Sequence, residues 1–210
     1  MVAHEYAHGY VALRNGDPTA YQLGRLTWNP VKHIDPFMTI ILPLLLFMTG
    51  APILGGAKPV PVNPRNYRKY KQGDIQVSLA GVTVNLILSV VFTALIPVVY
   101  FIAQLLPAAE AGLAILQAMF RYGIFLNLIL ALFNLIPIPP LDGSHVFKYI
   151  LPPNWALAYQ RVGAYGLFIL YALLFFGGKL LLTWMAPAFI LNNILVNFVN
   201  GFWLQLPFQL

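Results

Sequence analysis

The chain has 210 residues, of which 60% are hydrophobic and 9% are charged, and its net charge is +6 at pH 7. Soluble domains carry about 25% charged residues, so this composition excludes an ordinary soluble enzyme. The chain contains no cysteine, which excludes disulfides and thiolate metal sites and leaves His, Asp, Glu and water as ligands for any metal.

Several apolar runs are long enough to cross a bilayer, which takes about 20 helical residues. The sequence therefore predicts an all-α polytopic membrane protein with about five to six transmembrane or re-entrant segments. In such a protein, basic loops set the topology and contact anionic headgroups. We accordingly expect a lipid bilayer and no nucleic acid among its partners.

The first predicted helix, residues 1–14, contains His-Glu-Tyr-Ala-His at positions 4–8. His4 and His8 are four residues apart, so they lie one turn apart on one helix face and can bind the same zinc ion. Glu5 lies beside them and can accept a proton from a water that zinc activates. Taken alone, the motif leaves open a chance pair of helical histidines.

The first helix is short for a membrane span. Helical residues 1–14 extend about 21 Å, whereas the hydrocarbon core is about 30 Å thick. We therefore expect that the natural protein is longer and that this sequence is truncated at its N-terminus.

Three segments follow: a polar loop at 15–36, an apolar stretch at 37–56 broken by proline and glycine, and a basic loop at 57–75. Within the basic loop, Lys-Pro-Val-Pro-Val at 58–62 favours a short extended or β stretch, because proline favours extended backbone in the residue before it. If 37–56 crossed the membrane, the basic residues before and after it would face opposite sides. We therefore favour a re-entrant segment with both basic loops cytoplasmic over a simple crossing.

The second half of the chain is dominated by apolar runs. The predicted spans are 76–104, 113–136, 156–185 and 187–207, with a short helix starting within 145–150. The second of these spans runs into Asn-Leu-Ile-Pro-Ile-Pro-Pro-Leu-Asp-Gly, which places Asp142 at membrane depth. Ionisable residues at that depth are costly and usually functional.

A catalytic zinc usually takes three protein ligands and one water, so His4 and His8 require a third ligand. The remaining acidic residues and histidines are few: Asp17, His33, Asp35, Asp74, Glu110, Asp142 and His145. A carboxylate that faces two histidines through a metal would offset the cost of its depth, which favours Asp142. Helix capping after a proline turn is the alternative for this aspartate.

HEYAH and NLIPIPPLDG together resemble the motifs of the site-2 protease family of intramembrane zinc metalloproteases. The stretches GRLTWNPVKHIDP, GGAKPVPVNP and AGVTVNL are similar to compact prokaryotic members without appended sensor domains, and the resemblance covers about residues 4–150. It implies His4, His8 and Asp142 as ligands of one zinc per chain. It also implies Glu5 as the general base that afterwards protonates the leaving amine.

The resemblance implies roles for further polar residues. Asn134, which begins the second motif, is similar to a catalytic asparagine that helps hold substrate or the developing oxyanion. Asn85 lies in a stretch where relatives often read A-G-P-x-x-N, although Val82 replaces the proline here. Asn85 and His145 are substrate-facing or supporting candidates. Interhelical hydrogen bonding is the alternative for both asparagines, and a lipid-interface position is the alternative for His145.

The resemblance implies one domain, 1–210, with a catalytic core at about 1–150 and accessory membrane helices at about 156–207. The implied function is an intramembrane endopeptidase of the prokaryotic cell membrane that cleaves transmembrane helices of other proteins. The oligomeric state stays open. A metal-binding scaffold or chaperone of the same family is the main alternative. A metal or ion transporter is a third, although no internal repeat of the kind common in transporters is visible.

Overall fold

The computed structural model describes residues 1–51, 53 and 55–205, so Pro52, Leu54 and 206–210 lie outside the described residues. Its α-helices, in chain order, are α1 Val2–Arg14, α2 Thr19–Gln22, α3 Leu42–Met48, α4 Tyr70–Leu105, α5 Glu110–Asn134, α6 Asp142–Phe147, α7 Pro153–Val162, α8 Gly166–Phe176 and α9 Gly178–Phe198. The described residues contain no β-strand, so the all-α class is confirmed. The short extended or β stretch predicted at 58–62 is not confirmed as a strand.

Four helical stretches in the described residues are long and apolar enough to cross a membrane. They are Tyr70–Leu105, Pro107–Asn134, Pro153–Phe176 and Gly178–Phe198. Many large hydrophobic side chains on them are exposed, which suits a surface that contacts lipid. The predicted total of five to six segments is therefore not confirmed, since α1 and the apolar helix Pro36–Met48 are shorter than these four.

The boundary between the last two spans differs from the prediction. The sequence placed it next to Pro187, but the structure breaks the helix at Gly177 and keeps Pro187 inside α9. A Cβ at Gly177 would lie 2.7 Å from the carbonyl oxygen of Leu173, so glycine suits this close turn. Proline is tolerated within membrane helices because other groups satisfy the freed carbonyl.

The apolar segment 37–56 folds back towards its own start. Its helical part, Pro36–Met48, ends before Gly50, whose φ of +67° lies in the left-handed region that favours glycine. The returning chain then places the N–H of Gly56 3.0 Å from the carbonyl oxygen of Met38. The re-entrant path of this segment in a membrane stays a prediction.

The chain forms two compact units. One comprises Met1–Val84 and Asn134–Leu181, and the other comprises Asn85–Phe133 and the described part of Leu182–Leu210. The first has a buried cluster of Ala12, Tyr67 and Val77, and the second has one of Ile96, Ile124, Leu128, Ala188 and Val199. Every predicted catalytic and metal-ligating residue lies in the first unit.

Candidate metal centre

The two histidines of α1 and the aspartate that begins α6 converge in the first unit. The Nε2 atoms of His4 and His8 lie 3.0 Å apart. The Oδ2 atom of Asp142 lies 3.3 Å from the His4 Nε2 and 3.4 Å from the His8 Nε2. These residues form a group with three potential metal ligands within the described part of the chain.

The donor set and its spacing fit zinc. A tetrahedral zinc with bonds of 2.0–2.2 Å holds its ligand atoms about 3.3 to 3.6 Å apart, close to the observed 3.0 to 3.4 Å. The Oδ2 of Asp142 is buried and accepts no hydrogen bond. A buried carboxylate oxygen in that condition is destabilising unless a cation balances it, and a metal ion bound by both imidazoles would do so.

The orientation of His8 is set by α4. Its Nδ1 lies 2.7 Å from the carbonyl oxygen of Val77. Because a carbonyl only accepts, we assign the proton to Nδ1, which leaves the lone pair of Nε2 free for a metal.

His4, on α1, packs against a glycine of α4. A Cβ at Gly81 would lie 2.4 Å from Cε1 of the His4 ring and 2.6 Å from each ring nitrogen. The absence of a side chain at Gly81 thus creates the space that the His4 ring occupies. A second glycine has a comparable role beside Asp142, since a Cβ at Gly143 would lie 2.2 Å from the carbonyl oxygen of Leu135.

Glu5 is held by the proline-rich loop. Its Oε2 accepts a hydrogen bond of 2.8 Å from the backbone N–H of Val60, whose side chain is buried. A Cβ added at Gly9 of α1 would lie 2.9 Å from Val60 Cγ1, so the loop packs closely on α1. The carboxylate proposed as the general base is therefore oriented by main chain from the stretch that the sequence predicted to be extended.

Asp17 fixes the end of the same loop. This fully buried carboxylate accepts hydrogen bonds from the N–H of Asn63 at 2.6 Å and from Nδ2 of Asn66 at 2.8 Å. Burial alone would raise the pKa of Asp17, but these bonds and those from Thr19 lower the pKa below its usual value. Asp17 thereby anchors the segment that leads to Val60.

A second polar cluster joins α4 to the end of α6. Asp74 is 2% exposed, and its carboxylate lies 2.5 Å from Nζ of Lys148 and accepts a 2.8 Å hydrogen bond from the Tyr149 hydroxyl. His145 lies with its Nδ1 3.5 Å from Asp74 Oδ1. Burial and the hydrogen bond to Asp74 raise the pKa of Tyr149, so it stays protonated as a donor.

The other predicted site residues have separate positions. Asn134 is the last residue of α5, and Asn85 is fully buried in α4 within the second unit. His33 is buried with Nε2 2.9 Å from the carbonyl oxygen of Thr27, which suits a structural role. The functional roles given to Asn134, Asn85 and His145 stay predictions.

The sequence showed no sign of a role for Gly81 or Gly143 or of the hydrogen bond between the N–H of Val60 and Glu5, and it offered Asp74 only as one possible third ligand. A signal for Asp74 was present, because it is an ionisable residue near the start of the longest apolar helix. The cost argument that singled out Asp142 applies to Asp74 as well. The glycines and the amide carry no such signal, since their importance comes from close approach of distant segments.

A zinc-type ligand group that includes a His-Glu-x-x-His helix, in a chain with four apolar helices of spanning length, defines the class of membrane-embedded metallopeptidases. The family model described as peptidase family M50 matches residues 97–177. This match includes Asp142 and lies outside the HEYAH motif.

Individual relatives agree with this class. The chain is 42% identical over 173 residues to "Putative zinc metalloprotease YwhC" of Bacillus subtilis (strain 168), which covers 82% of this chain and 74% of that protein. It is 31% identical over 175 residues to "Putative zinc metalloprotease Rip2" of Mycolicibacterium smegmatis, covering 83% of this chain and 62% of the relative. It is 30% identical over 154 residues to "Putative zinc metalloprotease Rip2" of Mycobacterium tuberculosis (strain ATCC 25618 / H37Rv), covering 73% of this chain and 55% of that relative. No solved structure matches the chain.

The chain belongs to peptidase family M50, the site-2 protease family. It is therefore a zinc metallopeptidase by family and, with its four apolar helices, an integral membrane protein. The resemblance drawn from the two motifs is confirmed.

Proposed function

We propose that this protein is an intramembrane endopeptidase that hydrolyses peptide bonds in or near transmembrane helices, with one zinc per chain. The observation that carries the proposal is the convergence of His4, His8 and Asp142, with ligand atoms 3.0 to 3.4 Å apart, next to Glu5. Their low exposure and the four apolar helices support a site that works on substrates within the bilayer.

Zinc held by these three side chains would lower the pKa of a water to about 7 and polarise the scissile carbonyl. Glu5 accepts the proton of that water and later delivers it to the leaving amine. The N–H of Val60 fixes one carboxylate oxygen of Glu5, which limits rotation of the side chain. Asn134 is proposed to hold substrate or the developing oxyanion.

Transmembrane helices of other membrane proteins are the proposed substrates, in a prokaryotic cell membrane. A helix must unwind before its carbonyl can reach the metal, and the 58–62 stretch offers backbone for an added strand. Pro59 and Pro61 have no N–H and the N–H of Val60 is donated to Glu5, so Val62 carries the amide that a substrate strand could use. The fold-back of 37–56 supports placing both basic loops on one side, which we propose is cytoplasmic.

The experiment that tests this function compares cells that produce the parent with cells that produce Glu5→Gln. The substituted side chain keeps its size but cannot act as a base, so zinc content should be unchanged while cleavage falls about 10²- to 10⁴-fold. Mass spectrometry of new peptide termini should find them in or near membrane spans, and only with the parent.

Two results would count against the proposal. New termini confined to soluble proteins would remove the intramembrane substrate class. Equal cleavage by the Glu5→Gln variant would remove Glu5 as the base. If zinc is bound and the parent generates no termini at all, the metal-binding scaffold or chaperone becomes the better description.

A further inference from the structure

Three residues on one face of α4 contact the elements that carry the proposed zinc ligands. Asp74, Val77 and Gly81 are separated by three and four residues, so their positions lie on the same side of the helix. Val77 and Gly81 contact the two histidines of α1. Asp74 instead contacts residues at the other end of the short helix that Asp142 begins.

The contacts of Asp74 form a fixed anchor. Its side chain is 3% exposed, and the carboxylate faces Lys148 Nζ at 2.5 Å, the Tyr149 hydroxyl at 2.8 Å and His145 Nδ1 at 3.5 Å. The Lys148 side chain is itself only 11% exposed. Because a buried ion pair is destabilising once one partner is removed, the arrangement strongly favours a single position of these residues on α4.

The anchor lies close to the ligand because α6 is short. Asp142–Phe147 has 6 residues and extends about 9 Å at 1.5 Å per residue. Its first turn is seated by Gly143, where a Cβ would lie 2.2 Å from the carbonyl oxygen of Leu135. Fewer than two helical turns separate Asp142 from Lys148, so we expect a shift at Lys148 to shift Asp142 as well.

We infer that Asp74 is a positioning residue for the zinc ligand Asp142. Asp74 binds the residues at the end of α6. It thereby keeps the Oδ2 of Asp142 at metal-binding distance from the two imidazoles, which contact the same face of α4. Metal–ligand distances tolerate about 0.2 Å, so even a small slide of α6 weakens the site. This inference rests on the proposed zinc site and goes beyond it, since it assigns a function to an ion-pair cluster that does not touch the metal ligands.

The experiment measures Zn²⁺ and Co²⁺ affinity of the full detergent-purified chain by competition with a chromophoric chelator. The variants are Asp74→Asn and Tyr149→Phe. The matched control is Tyr171→Phe, which likewise removes one tyrosine hydroxyl, but one that makes no hydrogen bond among the described residues. We expect Asp74→Asn to weaken zinc binding about 10- to 100-fold, the range found for groups that orient metal ligands. Tyr149→Phe should weaken it less, and the control should bind like the parent.

A second readout separates positioning from a general loss of stability. The visible spectrum of bound Co²⁺ reports ligand geometry, and it should change in Asp74→Asn but stay unchanged in the Tyr171→Phe control. The losses of Asp74→Asn and Tyr149→Phe should add incompletely in the double variant, because the two residues contact each other. Where Asp74→Asn does not fold, Tyr149→Phe and Lys148→Met carry the same comparison.

Parent-like affinity together with a parent-like Co²⁺ spectrum in the Asp74 or Tyr149 variants would overturn the inference. So would losses that add fully in the double variant. Every readout is metal binding, so a parent that binds zinc and cleaves nothing would contradict the proposed function alone. The role of Asp74 would then still be measured.

Discussion

Replacing Gly81 with alanine tests whether α4 shapes the metal centre. The added Cβ would lie 2.4 Å from Cε1 of His4 and 2.6 Å from both ring nitrogens. Carbon atoms in contact normally lie about 3.5 to 4.0 Å apart, so the ring or the helix has to move by about 1 Å. The Nε2 of His4 is 3.0 Å from that of His8, and a movement of this size takes it out of reach of a shared metal.

The expected loss follows from the cost of overpacking. Inserting one extra carbon into a close-packed site destabilises it by about 1 to 3 kcal/mol. If the Gly81→Ala variant experiences this strain only when His4 occupies its metal-binding position, its zinc affinity falls by the corresponding factor, about 5- to 150-fold. A full displacement of the ring would exceed this range, because one of the three ligands would be lost.

The assay is chelator competition on detergent-purified protein, with Gly112→Ala as the matched control. Gly112 also lies inside a helix, but a Cβ there would meet nothing within 4 Å. Helix propensity alone favours alanine over glycine by up to about 1 kcal/mol at both positions, so the control isolates the steric effect. Equal zinc affinities of the two variants would refute the claim that Gly81 makes room for His4.

The remaining predictions concern the third ligand, the loop amide and the buried Asp17. Asp142→Asn should lower the zinc content per chain, measured by elemental mass spectrometry, because the amide is a weaker ligand than a carboxylate. The Glu110→Gln variant, changed at an exposed residue, should keep the zinc content of the parent. Unchanged zinc in Asp142→Asn would point to another third ligand. Val60→Pro removes the N–H that holds Glu5, so cleavage of a membrane substrate should fall while zinc stays bound; an unchanged cleavage rate would exclude the amide as an orienting group. The pKa of Asp17 is lower in the folded protein than in the unfolded chain, where it is about 3.9. The ionised carboxylate therefore stabilises the fold at pH values above about 3.9, and this stabilisation is lost as the pH falls through the pKa of the folded state. The melting temperature of the metal-free parent should therefore exceed that of Asp17→Asn at pH 7, and the gap should shrink below about pH 4; a gap independent of pH would contradict this reasoning.

The class of the protein and its candidate metal ligands could be predicted from the sequence. Long apolar runs and few charges require membrane helices, because backbone polar groups in lipid are satisfied within a helix. The four-residue spacing of His4 and His8 is a local property of α1, so it could be read without knowing the fold. The second motif then pointed to Asp142, although 134 residues separate it from His8 in the chain.

The distant groups that support these candidate ligands became known only from the folded arrangement. The carbonyl of Val77, the bare backbone of Gly81 and the N–H of Val60 are main-chain features that leave little trace in a sequence pattern. The pairing of Asp74 with Lys148 and Tyr149 likewise joins segments about 75 residues apart, and many other partners were open to each of them. The spacing of residues within one helix determines which side chains share a face. Packing between segments determines which distant groups contact those side chains, because close approach depends on every intervening residue.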